Sequence, residues 1–422
     1  MSGPFASLEP LQPLMDKCVH CGFCLATCPS YLLNGQEMDS PRGRIYLMRG
    51  GVQSRVGMSA TVVGHFDSCL GCMACETACP SGVRYAPLIE ETRAAIEHHH
   101  TRPLADRLFR KALFLVLPYP RRLRLLSRPL GLVNALKRWP RLFGLLPRQI
   151  QNSLTLAPDP RTTPATADIP ELTAARGERR ARVGLLTGCV QRVFFGHVNH
   201  ATVRVLTAEG CEVTTPSRQG CCGALALHTG RDAEARQFAR ELIQAFEPYG
   251  LDTIVINAAG CGSTMKGYGE LLKDDPKWAE RARAFSAKVR DFSEAVADLP
   301  QRAPRRPQKV RVAYHDACHL AHAQGVRRQP RQLLESIPGL TLVPIADADI
   351  CCGSAGIFNL VEPEMAAELG RRKVARIAEG APDIVVTSNP GCMLQMTASA
   401  RAAGQSLRVL HLAEFLAESL ES

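Results

Sequence analysis

The feature that most constrains this chain is a pair of matching cysteine motifs within its first eighty residues, both of the form C-x2-C-x2-C-x3-C-P. Two-residue gaps let one tight loop place three thiolates on three irons of a cubane, and the fourth cysteine of each motif then ligates the other cluster. The motifs therefore predict two [4Fe–4S] clusters. One set of ligands is Cys18, Cys21, Cys24 and Cys79, and the other is Cys69, Cys72, Cys75 and Cys28.

Other uses of these cysteines are less consistent with the sequence. The N-terminus lacks the basic and apolar segments of a secretory signal, and the total of 17 cysteines is odd, so we do not expect a disulfide framework. Structural zinc is the alternative, but a zinc site needs four ligands and gains nothing from the third cysteine step. Between the motifs, Arg42 and Arg44 either lie near a cluster and raise its potential or begin a solvated helix.

The second large feature is an internal repeat in residues 181–422, where predicted strands and helices alternate as in an α/β fold. Strands TIVINAAGC and DIVVTSNPGC, each expected to end at its cysteine, occupy matching places in the two copies. Cysteines recur at offsets of 129, 130, 130 and 131 residues, in the pairs Cys189 and Cys318, Cys221 and Cys351, Cys222 and Cys352, and Cys261 and Cys392. We therefore predict two homologous α/β halves related by pseudo-twofold symmetry.

The repeated cysteines leave two interpretations open. They are predicted at strand ends or in Gly-rich turns, where open α/β sheets bind ligands. Adjacent cysteines cannot easily share one metal ion, but they can ligate neighbouring irons of a further cluster. The alternative is that all eight are buried structural residues. His315, His319 and His322, which flank Cys318, either donate hydrogen bonds and carry protons or are structural histidines.

The net charge of +11 comes from one segment, since residues 101–150 contain twelve Lys or Arg and a single acid, Asp106. Leucines alternate with the basic residues at helical spacing, and the five prolines from Pro118 to Pro147 divide the segment, so it predicts short amphipathic helices. Such helices suit an anionic membrane surface, an acidic groove on a partner, or a connecting arm whose leucines pack on the chain's own core. Residues 151–180 are polar and proline-rich, as in a linker.

Together these features predict an α+β multidomain chain. An α-helical ferredoxin-type domain for two [4Fe–4S] clusters occupies residues 1–100, and the basic helical segment and the linker occupy residues 101–180. Two repeated cysteine-rich α/β domains follow in residues 181–300 and 301–422.

The chain resembles the iron–sulfur subunits of bacterial glycolate oxidase over residues 18 to about 400. The resemblance lies in the stretches VHCGFCLATCP, SPRGRIYLMR, CMACETACPSGVRY, GCGSTMKGYGELLKDD, HDACHLAHAQ and CCGSAG. The paired CCG domains alone define a broader group, which includes heterodisulfide reductase subunits, the anaerobic glycerol-3-phosphate dehydrogenase iron–sulfur subunit and a lactate-utilisation protein. In that group each half often ends in C-x-x-C, whereas this chain has Ala258 and Asn389 at the upstream positions, which argues against the disulfide chemistry of the heterodisulfide reductases.

The resemblance implies an electron-transfer subunit of a glycolate dehydrogenase complex. A separate FAD subunit, with a related companion subunit, would oxidise glycolate to glyoxylate, and this chain would carry the electrons towards the quinone pool. The alternatives are the iron–sulfur subunit of a lactate or glycerol-3-phosphate dehydrogenase, or a thiol–disulfide reductase. This chain is expected to hold no FAD and no hydroxyacid site, because it contains no strand–GxGxxG–helix unit.

Composition restricts the remaining classes of function. No apolar run approaches the eighteen residues of a membrane-spanning helix, and aromatic residues make up only 5% of the chain, so neither an integral membrane protein nor a nucleic-acid-binding surface is expected. The expected location is the cytoplasm, with peripheral contact at the cytoplasmic face of the inner membrane as an open alternative.

Overall fold

The computed structural model describes residues 3–127, 144, 148–156 and 169–421. Its N-terminal domain is helical, with 3-10 turns at Ala6–Leu11 and Glu37–Asp39. The helices are α1 (Gln12–Asp16), α2 (Pro29–Asn34), α3 (Pro41–Val52), α4 (Ala60–Asp67), α5 (Ala74–Thr77) and α6 (Ala86–His99).

Local sequence explains where α3, the longest helix between the two cysteine motifs, begins. Ser40 caps it by accepting a hydrogen bond from the backbone N–H of Gly43 at 3.0 Å, and Pro41 occupies the first helical position, where its missing N–H costs nothing. The buried face of α3 packs with Phe5, Phe66 and Leu88 in one apolar core. This core holds both cysteine loops against the same set of helices.

The basic segment forms helices α7 (Leu104–Val116) and α8 (Pro120–Ser127), as the sequence predicts. A further helix, α9 (Arg148–Leu156), extends into the stretch expected to be a linker, so that expectation was wrong for its first six residues. The rest of the basic segment and most of the linker, residues 128–143, 145–147 and 157–168, lie outside the described residues. None of the described helices is long and apolar enough to cross a membrane.

The first α/β half contains a five-stranded sheet in the order β1-β3-β2-β4-β5, parallel except for β1. Its strands are β1 (Leu172–Thr173), β2 (Ala181–Leu186), β3 (Cys211–Thr214), β4 (Thr253–Ile256) and β5 (Val289–Asp291). Its helices are α10 (Val190–Phe194), α11 (Gly196–Ala208), α12 (Ala224–Leu227), α13 (Asp232–Phe246), α14 (Ala259–Lys266), α15 (Tyr268–Leu271), α16 (Ala279–Lys288) and α17 (Phe292–Ala297), with a 3-10 turn at Glu247–Tyr249.

The second half repeats this plan with a four-stranded parallel sheet in the order β7-β6-β8-β9. Its strands are β6 (Arg311–His315), β7 (Thr341–Val343), β8 (Ile384–Thr387) and β9 (Arg408–His411). A π-helical turn at His319–Ala323 precedes helices α18 (Arg328–Glu335), α19 (Phe358–Val361), α20 (Pro363–Glu379), α21 (Pro390–Ala402) and α22 (Leu412–Ser419). The central strands β4 and β8 are runs of Ile, Val and Thr, as expected for parallel strands covered on both faces.

The two halves pack reciprocally. Helix α11 of the first half contacts α22 of the second, and α18 of the second contacts α17 of the first, so equivalent helices exchange equivalent contacts. One apolar core contains residues of both sheets, including Val183 and Val312. Reciprocal contact of this kind is the property of a twofold interface, and it agrees with the predicted pseudo-twofold relation.

The positions of two repeated cysteines differ from the expectation. Strands β4 and β8 end at Ile256 and Thr387, and Cys261 and Cys392 lie instead in the first turn of helices α14 and α21. The apolar runs predicted the strands correctly, but the residues that follow them begin helices. Both thiols therefore project from the N-terminal end of a helix that follows a central strand.

Candidate metal centres

The two N-terminal cysteine loops have the same unusual backbone. In each motif the third and fifth residues have left-handed φ angles, 55° and 90° at His20 and Gly22, and 62° and 61° at Gly71 and Met73. Non-glycine residues seldom adopt this conformation, which is strained and concentrates at functional sites. Alternation of left- and right-handed residues turns successive backbone N–H groups inward, so both loops are shaped to face an anionic group.

The structure brings together the four cysteines predicted to hold the second cluster. Cys28, Cys69, Cys72 and Cys75 all line one small cavity and are all buried. The backbone N–H of Gly71 donates a hydrogen bond to Cys69 Sγ at 3.4 Å. Thiols from both motifs thus meet at one site, as the exchange of fourth cysteines requires.

Two arginines supply positive charge at this cavity. Arg44 also lines it, is fully buried, and donates hydrogen bonds to Ser30 Oγ and Ser68 Oγ at 3.0 and 2.8 Å. Burial opposes ionisation of the Cys69 thiol, but the charges of Arg44 and Arg93 outweigh that effect and lower the pKa of Cys69. Of the two interpretations of Arg44, the structure therefore supports the position beside the cysteine loops.

The cysteines predicted for the first cluster lie nearer the surface. Cys18, Cys24 and Cys79 are half-buried at the edge of the N-terminal core, and Cys21 is exposed. The backbone N–H of Val83 donates a hydrogen bond to Cys79 Sγ at 3.4 Å. Arg42 Nη1 donates to the carbonyl oxygen of His20 at 2.9 Å and thereby ties this loop to α3.

These residues fit two cubane clusters. The eight cysteines are free thiols on two similarly shaped loops, and Cys28 crosses from its own motif to the cavity of the other. Buried cationic side chains and backbone N–H groups directed at sulfur are the environment that a cluster with a net negative charge requires.

The second-cluster cavity adjoins the second α/β half. Cys72 and Cys351 belong to one cluster of buried apolar side chains, and Cys318 packs against that cluster. Burial and then the neighbouring Cys318 thiol raise the pKa of Cys72. His319 Nε2 lies 2.9 Å from the carbonyl oxygen of Gly71, and Thr77 Oγ1 lies 2.9 Å from His322 Nδ1. The N-terminal domain is thus joined directly to the turn that follows Cys318.

All eight repeated cysteines line a single cavity of about 460 Å3 between the two halves. Cys69 of the N-terminal domain reaches the same cavity, and so do Leu113 of α7, Leu117 just after α7 and Leu123 of α8. The sequence predicted that each half would carry four cysteines, but it did not indicate that both sets face one space. The inward-facing leucines of the basic helices close this space. For that face of the helices, this agrees with the alternative that the basic segment is a connecting arm packed on the chain's own core.

The thiols of the first half lie in apolar surroundings. Cys189 Sγ lies 3.6 Å from Cys221 Sγ, and the backbone N–H of Gly223 donates to Cys221 Sγ at 3.4 Å. A hydrogen bond with Cys221, together with burial, raises the pKa of Cys189. A hydrogen bond with Cys221 lowers the pKa of Cys222, but the Cys261 thiol and burial together outweigh it and raise that pKa.

The thiols of the second half have polar neighbours. Cys318 Sγ lies 4.0 Å from Cys351 Sγ, and Asn389 Nδ2 donates to Cys392 Sγ at 3.3 Å. His315 offers a ring nitrogen within 4.8 Å of the thiols of Cys352 and Cys392. Hydrogen bonds from Cys351 and Cys392, and then the His315 ring, lower the pKa of Cys352.

The three predicted histidines have different surroundings. His315 is buried among the thiols. His319 bridges Ser263 and Gly71, and burial, followed by the nearby His228, lowers its pKa to about 3, so its ring is neutral at physiological pH. His322 bonds to Thr77 and to the Asp349 carbonyl, and burial lowers its pKa as well.

Sequence reasoning missed one residue at these centres and another that only adjoins them. Arg93 of α6 donates hydrogen bonds to the carbonyl oxygens of Cys69 and His228, and so links the second cysteine loop to the first α/β half. Lys373 of α20 is buried, and its Nζ donates to the carbonyl oxygens of Asp347 and Ala348, close to Cys351. The signal for Lys373 was a basic residue on the apolar face of a helix, where its counterpart in the repeat, Leu242, is apolar.

Comparisons with known proteins match the two parts of the chain separately. Residues 14–83 match the 4Fe-4S dicluster domain family, and residues 183–266 and 312–397 each match the Cysteine-rich domain family, CCG. These matches confirm the predicted fold class, with a dicluster domain followed by two CCG repeats.

Relatives cover most of the chain. It is 38% identical over 416 residues to the probable glycolate oxidase iron-sulfur subunit of Bacillus subtilis, an alignment that covers 96% of this chain and 93% of the relative. It is 36% identical over 411 residues to the glycolate oxidase iron-sulfur subunit of Escherichia coli, covering 97% and 95%. It is also 30% identical over 240 residues to lactate utilization protein A of an Exiguobacterium species, covering 57% of this chain and 98% of that protein.

Proposed function

Because this chain belongs to the family of glycolate oxidase iron–sulfur subunits, we propose that it is the electron-transfer subunit of a glycolate dehydrogenase. A separate FAD-containing subunit, with its related companion, would oxidise glycolate to glyoxylate and pass the electrons to this chain. The observation that carries the proposal is the row of thiols that runs from the exposed Cys21 loop, through Cys28 and Cys72, to Cys318 at the inner cavity.

The residues of the N-terminal domain have separate tasks in this proposal. Cys18, Cys21, Cys24 and Cys79 would hold one cluster, and Cys28, Cys69, Cys72 and Cys75 the other. When bound, [4Fe–4S] clusters accept and release single electrons. Burial of the second set excludes water, and the charges of Arg44 and Arg93 favour an additional negative charge at that site.

The exposed cysteine loop is the natural docking place for the flavin subunit. Val19 and Phe23, which flank Cys21, are each 67% exposed, and apolar side chains this accessible on a cysteine loop suit a protein interface. A partner seated there would exclude water from the half-buried thiols. The loop would then be the entrance for electrons, and the inner cavity would be the other end of the row.

The inner cavity supports a quinone as the electron acceptor. Its volume of about 460 Å3 suits a small organic ligand, and much of its wall consists of leucine, phenylalanine and cysteine side chains. Helices α7 and α8, which close it, turn Leu108, Leu125 and Leu126 outward beside Arg121 and Arg124. That combination of exposed leucine and arginine fits the anionic surface of a lipid bilayer, whose apolar interior dissolves quinones.

The complex itself tests the proposed function. Co-expression with its flavin subunit is expected to give glycolate-dependent reduction of a dye and of a soluble quinone analogue. Cys75→Ser should abolish it, whereas Cys211→Ser, which alters a buried cysteine of β3 outside every proposed set, should retain it. Activity with lactate or glycerol-3-phosphate alone would assign the chain to a sister family, and activity with none of the three would contradict the proposal.

The membrane contact needs its own measurement. We expect the purified chain to sediment with vesicles containing anionic lipid and not with neutral vesicles. Replacement of both Leu125 and Leu126 by serine should weaken binding without changing glycolate-dependent dye reduction. Equal binding to both kinds of vesicle, or no binding, would favour the alternative that these helices face a protein partner.

The iron content tests whether the CCG halves hold metal as well. Eight irons and eight acid-labile sulfides per chain after anaerobic purification would assign clusters to the N-terminal domain alone. Twelve to sixteen irons would place additional clusters among the eight repeated cysteines. Loss of all iron from folded, anaerobically prepared protein would contradict both assignments.

A further inference from the structure

His315 is a buried imidazole whose nearest polar neighbours are thiols. Its side chain ends strand β6 and is 1% exposed, and neither Nδ1 nor Nε2 has a hydrogen-bond partner among the described residues. Buried polar atoms in native proteins are nearly always paired, so an unpaired pair of ring nitrogens indicates a missing ligand. Thr387, the residue paired with His315 across β8, also has a buried hydroxyl without a partner there.

The groups nearest to the ring are thiols. One ring nitrogen of His315 and the sulfur atoms of Cys352 and Cys392 all lie within 4.8 Å of one another. Cys351 is adjacent in sequence, and its sulfur lies 4.0 Å from that of Cys318. The second half therefore lines one side of the cavity with four thiols, and the imidazole lies beside two of them.

The first half lacks the nitrogen donor. Strand β2 pairs Leu186 with Ile256 of β4, in the register in which β6 pairs His315 with Thr387 of β8. The repeat therefore has leucine where the second half has His315. The four thiols of the first half line the cavity together with His228, which lies at the end of α12 and not at the position equivalent to His315.

We propose that His315 is a nitrogen ligand of a metal centre bound by Cys318, Cys351, Cys352 and Cys392. This proposal deepens the function proposed above, since it adds a metal centre with mixed ligands at the inner end of the thiol row. Thiolate sulfur with one imidazole nitrogen is a donor set that suits iron of an iron–sulfur cluster or zinc. An occupied site would satisfy the ring and explain why the second half has a histidine where the first half has a leucine.

Three variants distinguish ligation of a metal by His315 from a general effect of polar side chains near the thiols. His315→Leu gives the second half the residue that the first half already has, so the fold should accept it. His315→Cys replaces the nitrogen donor by sulfur. Lys373→Leu is the matched control, because it removes the neighbouring buried cation, again in favour of the residue of the first half, and leaves all five donors in place.

The measurement is made on the full chain, purified anaerobically with its flavin partner after growth on 15N-labelled or unlabelled histidine. Iron, zinc and acid-labile sulfide are counted per chain. Pulsed EPR reports hyperfine coupling of histidine nitrogen to a reduced cluster, and X-ray absorption at the zinc edge reports nitrogen and sulfur neighbours. The proposed ligands in the N-terminal domain are all cysteines, so a directly bound histidine nitrogen reports the second half.

We expect metal beyond the eight N-terminal irons, and an isotope-sensitive histidine coupling or a nitrogen neighbour of zinc, in the wild type and in Lys373→Leu. His315→Leu should lose that nitrogen and bind the additional metal about 10–100-fold more weakly, and His315→Cys should keep the metal with sulfur neighbours only. Sulfur-only coordination in the wild type, or no metal beyond the eight irons, would overturn the proposal. Neither result depends on whether glycolate is the substrate.

Discussion

The first and second CCG halves share their topology but differ in what surrounds their thiols. Both place a cysteine after the first central strand, a CCG turn beneath a long helix, and a fourth cysteine in the first turn of another helix. Leu186 and Leu242 of the first half are replaced by His315 and Lys373 in the second, beside the cysteines in each case. Duplication has therefore preserved the thiol positions and changed the chemistry around them.

The two halves also differ in their contact with the N-terminal domain. The second-cluster cavity meets the second half through Cys72, Cys318 and the carbonyl of Gly71. The first half contacts the N-terminal domain through Arg93, which donates to the carbonyl oxygens of Cys69 and His228. None of the first half's thiols lines the second-cluster cavity. This comparison indicates that the second half is the one coupled to the electron-carrying domain, and that the first half mainly completes the cavity wall.

The largest expected effect comes from removing one pair of thiols at a time. Replacement of Cys351 and Cys352 by alanine should lower glycolate-dependent quinone reduction about 100-fold, because it removes two of the thiols that a metal centre in the second half would need as ligands. The equivalent change at Cys221 and Cys222 should lower it less than about 10-fold. Steady-state assays of glycolate-dependent quinone reduction by the complex measure both, and equal losses would contradict the predicted difference between the halves.

The CCG glycines should differ in their tolerance of alanine. A Cβ at Gly353, whose φ is 92°, would lie 2.6 Å from the Ala366 carbonyl oxygen, whereas a Cβ at Gly223, whose φ is 79°, would lie 3.1 Å from that of Ala235. Left-handed strain acts at both positions, and the closer backbone contact adds to it at Gly353. We expect Gly353→Ala to lower the free energy of unfolding by about 2.5 kcal/mol and Gly223→Ala by about 1.5 kcal/mol. Chemical denaturation measures both, and a larger loss at Gly223 would contradict the prediction.

Thr187 follows strand β2 and Asp316 follows the equivalent strand β6, and an arginine binds each of them in a different way. Arg331 makes two hydrogen bonds, of 2.6 and 2.8 Å, to the buried Asp316, whereas Arg192 donates to the hydroxyl of Thr187 at 2.8 Å. Arg331→Met should cost about 2 kcal/mol of unfolding free energy, since it leaves a buried carboxylate unpaired, and Arg192→Met about 0.5–1 kcal/mol. Both values come from denaturant titrations, and equal costs would mean that Asp316 finds another partner.

The smallest expected effect is a difference in pH dependence at equivalent helix caps. Burial lowers the pKa of His411, the cap of α22, to about 4, and raises the pKa of Asp291, the cap of α17, to about 6. The neutral form is favoured in the folded protein at both sites. The contribution of His411 is therefore complete above pH 6.5 and is lost as pH falls towards 4, whereas that of Asp291 is complete below pH 3.8 and is lost as pH rises through 6.

Replacing either cap residue by asparagine should reveal that His411 and Asp291 make opposite contributions to the pH dependence of stability. His411→Asn should reduce the loss of stability between pH 7.5 and 5.5 by about 1.4 kcal/mol, and Asp291→Asn should reduce the opposing loss between pH 5.5 and 7.5 by about 0.8 kcal/mol. Unfolding free energies of the wild type and both variants at the two pH values provide the measurement. If the pH dependence of the unfolding free energy changed in the same direction in both variants, burial would not be what sets the pKa values of His411 and Asp291.

Much of this architecture was accessible from local sequence. Spacing within the two N-terminal motifs determines which thiols a loop can present, and the near-constant offset between the repeated cysteines predicts two copies of one fold. The motif spacing is read within a short segment, and the offset is read by comparing the sequence with itself. Neither requires knowledge of how the chain packs. The same reasoning misplaced Cys261 and Cys392 at strand ends, because an apolar run shows where a strand lies but not how many residues separate it from the next helix.

The sequence by itself thus determined the identity of the thiols, the two-part architecture and the family. Only the tertiary structure decided that all eight CCG cysteines face one space, and that His315 lies among the thiols of one half without a hydrogen-bond partner among the described residues. These facts depend on contacts between residues far apart in the chain. Such contacts are set by how helices and sheets pack, and a local pattern of residues does not carry that information.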